Sequence, residues 1–186
     1  IIISRPENIA DCRALIVPGV GAFGDCAAHL QQSNFDNQLK EWISSGKPLM
    51  GICLGLQILF DESEESPGTK GLGIFSGTVK KFQLSKQLKV PQIGWNKLFI
   101  KNKSCPMFKN INNEDYFYLV HSYYVHSDDK AIIAGETDYG VKYCSCVWKE
   151  NIFATQFHPE KSQKVGLTML KNCLLYTSPS PRDRSL

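Results

Sequence analysis

The chain has 186 residues, of which 42% are hydrophobic, and this is enough for one globular domain with a sizeable core. Its 21 basic and 18 acidic residues give a formal net charge of +3, too weak and too evenly spread to indicate a nucleic-acid-binding protein. The apolar runs are shorter than the ~20 residues of a membrane-spanning helix, so the sequence predicts no membrane span.

The first third of the chain alternates short apolar strands with helices, which is typical of an α/β fold. The continuous apolar run at 48–52 indicates a strand buried inside a parallel sheet. In chain order we predict a strand at Ile1–Ile3, a short helix at Pro6–Ala10, a strand at Ala14–Val17, helices at Asp25–Gln31 and Phe35–Ser45, a strand at Pro48–Ile52 and a helix at Leu54–Phe60.

After a predicted polar loop at Asp61–Gly71, short strands dominate the chain. We place them at Gly77–Phe82, Lys97–Lys101, Tyr116–His121, Ile132–Thr137, Lys142–Trp148 and Ile152–Phe157, followed by a final helix at about Ser162–Asn172. The prediction is an α/β fold, with a mostly parallel sheet flanked by helices and additional short antiparallel strands.

A cysteine stands between a predicted strand and a predicted helix in the segment 51–57, Gly-Ile-Cys-Leu-Gly-Leu-Gln. The pattern Gly-x-Cys-x-Gly is the cysteine form of the nucleophile elbow, a strained strand-to-helix turn whose neighbours must lack side chains. We therefore predict that Cys53 is a nucleophile and that the positive end of the following helix favours its thiolate. The backbone N–H of Leu54 would donate to a developing oxyanion.

A buried, inert cysteine is the alternative for any single cysteine, because cysteine is among the most buried residue types. We adopt that interpretation for Cys12, Cys26, Cys105, Cys144 and Cys146. None of these spacings indicates a zinc site, and no metal or cofactor is predicted.

A nucleophilic thiol needs a base, and His158 is the histidine whose surroundings suit that role. It ends an apolar run, and Pro159 and Glu160 follow it. Residues two apart in extended chain point to the same side, so Glu160 can orient the imidazole of His158 toward one site. Taken alone, His158 could be a structural histidine at a strand end; together with Cys53 it indicates a Cys-His-Glu triad.

The pattern Gly-x-Cys-x-Gly-x-Gln at 51–57, followed far downstream by Phe-His-Pro-Glu at 157–160, resembles the class I (triad) glutamine amidotransferases. Further segments at 18–25, 90–96, 120–123 and 161–162 resemble the members of that family that serve histidine biosynthesis. The resemblance covers about residues 1–172 and implies a flavodoxin-like α/β fold.

The resemblance also implies roles for residues around the triad. It assigns the oxyanion hole to Leu54, Val20 and Gly21, and glutamine binding to Gly19, Gln57, Glu65, Ser122 and Tyr123. Two of these have an alternative interpretation, since Gln57 could be a polar residue on an exposed helix face and Glu65 a solvated charge. In this family the cysteine forms a thioester with the side-chain acyl group of glutamine and releases ammonia.

Ammonia released into water becomes ammonium, which is not a nucleophile, so the resemblance implies one half of a channelled heterodimer. The partner would be a (β/α)₈-barrel cyclase that forms imidazole glycerol phosphate and aminoimidazole carboxamide ribonucleotide. Candidate interface residues are Trp95, Asn96 and Lys161, although Trp95 could be an ordinary core aromatic. The unpaired cysteine pattern fits a reducing cytoplasm.

Both ends of the sequence carry expectations of their own. Residues 173–186 read like a translated adapter sequence, so we expect one domain at 1–172 and a non-native tail at 173–186. A native Ser/Pro-rich disordered tail is the alternative. The chain begins without Met inside an apparent strand, whereas family members start with an earlier strand and helix, so we expect a fragment that lacks those two elements.

Three other functions stay open at this point. The chain could be a related amidotransferase that feeds another acceptor, for example a surface-sugar precursor. It could be a catalytically silent domain that binds a partner but not glutamine. It could also be a cysteine peptidase or another hydrolase on a related sheet.

Overall fold

The computed structural model describes residues 1–84 and 88–176. Its strands are β1 (Leu15–Val17), β2 (Leu49–Ile52), β3 (Phe60–Ser63), β4 (Phe75–Lys81), β5 (Gln92–Lys97), β6 (Phe99–Ile100), β7 (Tyr116–His121), β8 (Tyr123–Ser127), β9 (Ile133–Asp138), β10 (Lys142–Lys149) and β11 (Ile152–Thr155). Its α-helices are α1 (Phe23–Gln32), α2 (Phe35–Ser44), α3 (Leu54–Gln57) and α4 (Gln163–Tyr176). Short 3₁₀ helices lie at Pro6–Ile9, Pro106–Phe108, Lys130–Ile132 and Pro159–Lys161.

The main sheet has the strand order β1-β2-β11-β10-β8-β4-β3, and β9 joins β6 to β10 beside this path. Parallel pairs connect β1 to β2, β2 to β11 and β3 to β4. The pairs made by β10 with β8, β9 and β11 are antiparallel, as is the pair β4–β8. The antiparallel part is therefore larger than the sequence indicated. Strands β5 and β7 form a separate antiparallel pair, the β5–β7 ribbon.

Two hydrophobic cores cover the two faces of the sheet. Successive residues of β2 enter different cores, Leu49 the first and Met50 the second, because side chains alternate along a strand. Helices α1 and α2 cover the first core, and Leu39 and Trp42 of α2 are buried in it at helical spacing. Helix α4 covers the second core, to which it contributes the fully buried Met169.

Most predicted elements are present, with bounds shifted by a few residues, but three predictions are wrong. Residues 1–3 form no strand in the structure, and Ile1 and Ile2 are exposed. Helix α3 ends at Gln57 rather than Phe60, because Phe60 begins a strand that pairs in parallel with β4. The predicted polar loop at 61–71 therefore contains most of β3.

The sequence reading also missed two strands that bear on the site. Strand β5 was not predicted, and the strand expected at 97–101 is only the two-residue β6. Ile93 and Trp95 are both exposed on one side of β5. The exposed side of this strand is therefore apolar, and the usual pattern of buried apolar and exposed polar residues is missing. Strand β8 was also missed, since its only break from β7 is Ser122.

The final helix continues to Tyr176, four residues beyond its predicted end at Asn172, and Cys173 packs against the second core. Residues 177–186 of the predicted tail lie outside the described part of the chain. Among the residues that the structure describes, no helix has the length and apolar character needed to cross a bilayer.

Candidate active site

The turn between β2 and α3 has the geometry that the glycine pattern predicted. Cys53 lies at the turn with φ 55° and ψ −107°, a region that residues other than glycine rarely occupy. A Cβ at Gly51 would lie 2.5 Å from the carbonyl oxygen of Gly55, and a Cβ at Gly55 would lie 1.9 Å from that of Val17. A side chain at either position would therefore overlap backbone atoms. The predicted order of strand, turn and helix is confirmed.

The backbone around His158 is held by the β5–β7 ribbon and by the start of the last helix. Its N–H donates to the carbonyl oxygen of Tyr118 at 2.9 Å. Its carbonyl accepts from the hydroxyl of Ser162 at 2.6 Å, and the same hydroxyl accepts from the Tyr118 N–H at 3.0 Å. These contacts fix the main chain from which the imidazole projects.

The imidazole of His158 is oriented by Glu160, as the sequence predicted. The Nδ1 atom lies 2.8 Å from a carboxylate oxygen of Glu160, and the histidine side chain is buried while the glutamate is partly exposed. The other ring nitrogen, Nε2, is buried and has no protein partner within the described residues. A neutral ring that donates through Nδ1 would therefore leave Nε2 available as a base.

A cavity of about 340 Å³ brings Cys53 and His158 together. The other predicted site residues that line it are Gly19, Val20, Gly21, Leu54, Gln57, Glu65, Ser122, Tyr123 and Lys161. Three further lining residues were not predicted: Pro91, Val120 and His121. Segments that are far apart in sequence thus meet at the carboxyl end of β2, as expected for an α/β fold.

The thiol of Cys53 is buried, and burial raises its pKa to about 11. The backbone N–H of Leu54 and the side chain of Gln156 act in the opposite direction, as hydrogen-bond donors to the sulfur. The N–H of Leu54 belongs to the first residue of α3, so the start of the elbow helix does favour the thiolate, but burial has the larger effect on the pKa. Because burial outweighs both donors, the thiol form of Cys53 is favoured at neutral pH.

The predicted oxyanion loop packs directly against the elbow. A Cβ at Gly19 would lie 2.5 Å from the Cβ of Leu54, so the loop approaches the nucleophile as closely as its backbone allows. Gly21 has φ +103°, and Val20 is 85% exposed. The loop therefore combines close contact at one end with an open, glycine-dependent conformation at the other.

Two candidate substrate-binding side chains are anchored by protein contacts. The Nε2 of Gln57 donates to the carbonyl oxygen of Tyr123 at 3.0 Å, and Gln57 is buried, so its interpretation as an exposed helix residue is wrong. A carboxylate oxygen of Glu65 accepts the N–H of Phe23 at 2.8 Å, at the first residue of α1. Glu65 is thus partly buried rather than a plain solvated charge.

The three candidate interface residues do not lie together. Trp95 is 45% exposed on the β5–β7 ribbon, with its ring 6.0 Å from that of Tyr118, so it is not a core aromatic. Asn96 donates its side-chain amide to the carbonyl of Asp138 at 2.8 Å. These two lie outside the cavity lining, whereas Lys161 lies within it.

The described residues contain no cluster of three or more His, Cys, Asp or Glu side chains that could hold a metal ion. The chemistry that the residues of this cavity can perform is that of a thiol, an imidazole and a carboxylate.

A family model described as glutamine amidotransferase class I matches residues 3–176. The chain belongs to the class I glutamine amidotransferases. It is a glutamine amidotransferase enzyme, and the family that the sequence resemblance implied is confirmed.

Curated relatives of this amidotransferase carry the name imidazole glycerol phosphate synthase subunit HisH. The relative from Pyrococcus furiosus is 48% identical over 172 residues, which are 92% of this chain and 86% of the relative. The relative from Syntrophotalea carbinolica is 45% identical over 172 residues, which are 90% of this chain and 83% of the relative.

Solved structures share the fold of this amidotransferase at low sequence identity. The structure of PurLQS from Thermotoga maritima superposes with a TM-score of 0.70 at 19% identity, covering 90% of this chain and 81% of that chain. A crystal structure of a glutamine amidotransferase gives 0.68 at 17% identity, covering 92% and 84%. The predicted fold class, an α/β amidotransferase fold with helices flanking the sheet, is confirmed.

Sequence reasoning missed two buried polar residues beside the amidotransferase cavity. Gln156 is fully buried, and its Nε2 lies 3.6 Å from the sulfur of Cys53. His121 is also buried, and its Nδ1 lies 2.8 Å from the carbonyl oxygen of Tyr123. Gln156 stands two residues before His158, and a fully buried amide at that place is a signal only once the fold is known.

Proposed function

We propose that this amidotransferase is the glutaminase subunit of an imidazole glycerol phosphate synthase. It hydrolyses glutamine to glutamate and ammonia through a thioester on Cys53. One observation carries the proposal: a strained cysteine and a carboxylate-oriented histidine face one cavity in a chain that is 40–48% identical to curated HisH subunits. The residue roles below are part of the proposal.

The first step joins the thiol to the substrate. His158 takes the proton of Cys53 through Nε2, and the sulfur attacks the side-chain carbonyl carbon of glutamine. The resulting oxyanion accepts hydrogen bonds from the N–H of Leu54 and from an N–H of the loop that contains Val20 and Gly21. Because the resting thiol is protonated, this proton transfer is needed before the attack.

The next steps release ammonia and glutamate. The imidazolium of His158 returns its proton to the departing nitrogen, and ammonia leaves as the thioester forms. Water then attacks the thioester carbon while His158 accepts one of its protons. Glutamate leaves, the thiol is restored, and Glu160 holds the imidazole in place throughout.

The cavity offers groups for the rest of the glutamine molecule. Gln57 has committed both protons of its amide to protein oxygens, so its Oε1 is the atom left to accept a hydrogen bond from the substrate. The carboxylate of Glu65 pairs with the α-ammonium group. The backbone around Ser122 and Tyr123, together with Gly19, encloses the substrate.

Ammonia passes to a (β/α)₈-barrel cyclase that forms a heterodimer with this chain. The cyclase uses the ammonia to make imidazole glycerol phosphate and aminoimidazole carboxamide ribonucleotide in histidine biosynthesis. Exposed Trp95 supports an interface on the β5–β7 ribbon, which also carries Asn96. Lys161 lines the cavity and is the candidate contact nearer to the site. The need for a free thiol at Cys53 supports a reducing compartment, the cytoplasm.

A glutaminase assay tests this function. Glutamate release is measured with and without a cyclase subunit from a relative, loaded with its ribonucleotide substrate. We expect release to rise with the loaded cyclase and to fall at least about a thousandfold in Cys53→Ala, because the nucleophile is lost. Cys12→Ala removes a cysteine remote from the cavity and is the matched control.

The other outcomes point to the competing functions. Release that depends on Cys53 but ignores the cyclase would keep the glutaminase and contradict the proposed acceptor. The absence of release in a folded complex would contradict the enzymatic roles assigned to the triad.

A further inference from the structure

A chain of buried amides connects the sulfur of Cys53 to the main chain of β8. The Nε2 of Gln156 lies 3.6 Å from the sulfur, and its Oε1 accepts from Gln57 Nε2 at 3.1 Å. Gln57 Nε2 also donates to the carbonyl oxygen of Tyr123 at 3.0 Å. Gln57 and Gln156 are both buried, so water cannot readily replace these contacts.

The direction of each hydrogen bond is fixed from the far end of the chain. The carbonyl oxygen of Tyr123 can only accept, so Gln57 must turn its NH₂ group toward it. The second proton of that NH₂ group then needs an acceptor, which is the Oε1 of Gln156. Reversing Gln156 would bring two NH₂ groups face to face. The NH₂ group of Gln156 is therefore left pointing at the sulfur.

His121 shares the carbonyl acceptor at the far end of this chain. Its Nδ1 lies 2.8 Å from the same carbonyl oxygen of Tyr123, and this contact requires a proton on Nδ1. Burial lowers the pKa of His121 to about 4, so the ring is neutral near pH 7 and Nε2 carries no proton. The Nε2 atom lies 3.2 Å from the hydroxyl of Tyr143, and that hydroxyl donates its own proton to the Oε1 of Gln92 at 2.8 Å.

We propose that Gln156 is a further catalytic residue of this enzyme, donating a hydrogen bond to Cys53 that stabilises the thiolate during attack. Gln57 acts on the nucleophile as a positioning residue, in addition to any contact with substrate. The proposal rests on the proposed role of Cys53 as the nucleophile. A donor strengthens its bond when the acceptor becomes charged, so it favours the thiolate over the thiol.

The need for such a donor follows from the burial of the sulfur. A thiolate formed there has lost much of its hydration and depends on the few donors that the protein supplies. Besides Cys53, the titratable groups that line the cavity or act on the sulfur are His158, Glu160, Lys161, Glu65, His121 and Tyr123. All of them are retained in the variants below, so their contributions cancel in the comparison.

Alkylation of Cys53 tests the proposal without glutamine. The second-order rate constant with iodoacetamide is measured at several pH values from 7 to 9 by peptide mass spectrometry, on the full chain. Gln156→Met removes the donor and should raise the pKa of Cys53 by about one unit. The thiolate fraction falls tenfold while its nucleophilicity rises, so we expect alkylation about three- to fourfold slower.

Further variants distinguish the effect of losing the hydrogen-bond donor from the effect of changing the volume of the side chain. Gln156→Glu keeps the shape but places a carboxylate at the sulfur, and should slow alkylation more than Gln156→Met. Gln57→Met frees Gln156 to turn away and should give a smaller slowing. Ser145→Ala is the matched control. Ser145 is fully buried beside Gln156, its hydroxyl has no hydrogen-bond partner among the described residues, and its loss should leave the rate unchanged.

A change of access would depend on reagent size, so methyl methanethiosulfonate is compared with iodoacetamide. Equal slowing by both reagents supports the donor role, and slowing by the larger reagent alone overturns it. An unchanged rate in Gln156→Met with a native melting curve also overturns it. If Gln156→Met does not fold, Gln156→Glu and Gln57→Met decide in the same way.

The test also separates this proposal from the proposed function. Expected alkylation rates in a chain that never releases glutamate would contradict the glutaminase function alone. Normal, Cys53-dependent glutamate release with unchanged alkylation in every variant would contradict the role of Gln156 alone.

Discussion

The two walls of the cavity use glycine for opposite reasons. In the wall that carries Cys53, Gly51 and Gly55 are needed because a Cβ would overlap backbone atoms of neighbouring segments. In the opposite loop, Gly21 has open space around it, with no atom within 4 Å of a Cβ, but its φ of +103° excludes other residues without strain. Packing therefore requires glycine at Gly51 and Gly55, whereas backbone conformation requires it at Gly21.

This difference indicates how each wall can respond to a ligand. The packed wall cannot move its nucleophile without separating β1 and β2 from the elbow. The loop can change its dihedral angles at little cost, because Val20 is exposed and nothing covers Gly21 in the described structure. Adjustment to substrate is therefore expected in the loop, and the following variants test that expectation.

The largest effect is expected at the packed wall. Gly55→Ala would place a Cβ 1.9 Å from the Val17 carbonyl, and neither backbone can move away without breaking the sheet. We expect the free energy of unfolding to fall by at least about 3 kcal/mol, measured by urea denaturation. A loss no larger than about 1 kcal/mol would show that this wall opens easily and would remove the contrast.

A second test addresses the buried network behind the packed wall. Burial lowers the pKa of His121 to about 4 from an ordinary value of 6.5, so the unfolded chain binds a proton at acid pH before the folded chain does. The contribution of neutral His121 to the free energy of unfolding is therefore nearly complete above pH 6.5 and is lost as the pH falls toward 4. Between pH 7 and pH 5 the loss should be about 2 kcal/mol.

His121→Asn measures that contribution. Urea denaturation of wild type and variant at both pH values gives a double difference in which other titrating groups cancel. The variant should lose about 2 kcal/mol less than wild type between pH 7 and pH 5. Parallel pH profiles would show that His121 does not resist protonation.

The smallest effect is expected in the loop. Gly21→Ala forces a residue with a Cβ into φ +103°, which should cost about 1 kcal/mol of stability. Gly46→Ala is the control, since Gly46 has φ +77° and equal space but lies outside the cavity. Both should destabilise similarly, and only Gly21→Ala should slow glutamate release. Unchanged stability in Gly21→Ala would mean that the loop leaves this conformation freely.

Much of the fold could be predicted where the signal is local. The buried strand at 48–52 and the elbow after it follow from a continuous apolar run and two glycines. Helix α3 was predicted too long because an apolar residue such as Phe60 fits a buried helix as well as a buried strand. Only the pairing of Phe60 with Phe75 shows that it begins a strand. Among the described strands, β5 forms a backbone ladder only with β7, and its exposed side is apolar, so the polar-outward alternation that marks a strand is missing.

The residues of the candidate site also differ in whether the local sequence is enough to predict them. Cys53, His158 and Glu160 could be proposed because their immediate neighbours restrict what they can do. The contacts of Gln156 could not, because its partners Cys53 and Gln57 lie 103 and 99 positions away in the sequence. The raised pKa of the Cys53 thiol could not be predicted for a related reason, since the burial of the sulfur depends on how the whole sheet packs.

The attachment of His158 to the β5–β7 ribbon has a mechanical consequence. Trp95 lies at the surface, yet its ring contacts Tyr118, whose carbonyl holds the main-chain N–H of His158 at 2.9 Å. Only two contacts therefore separate the exposed indole from His158, the proposed base. A force that displaces this ribbon from outside would therefore also displace the imidazole of His158. Cys53 follows β2 of the central sheet and would keep its position.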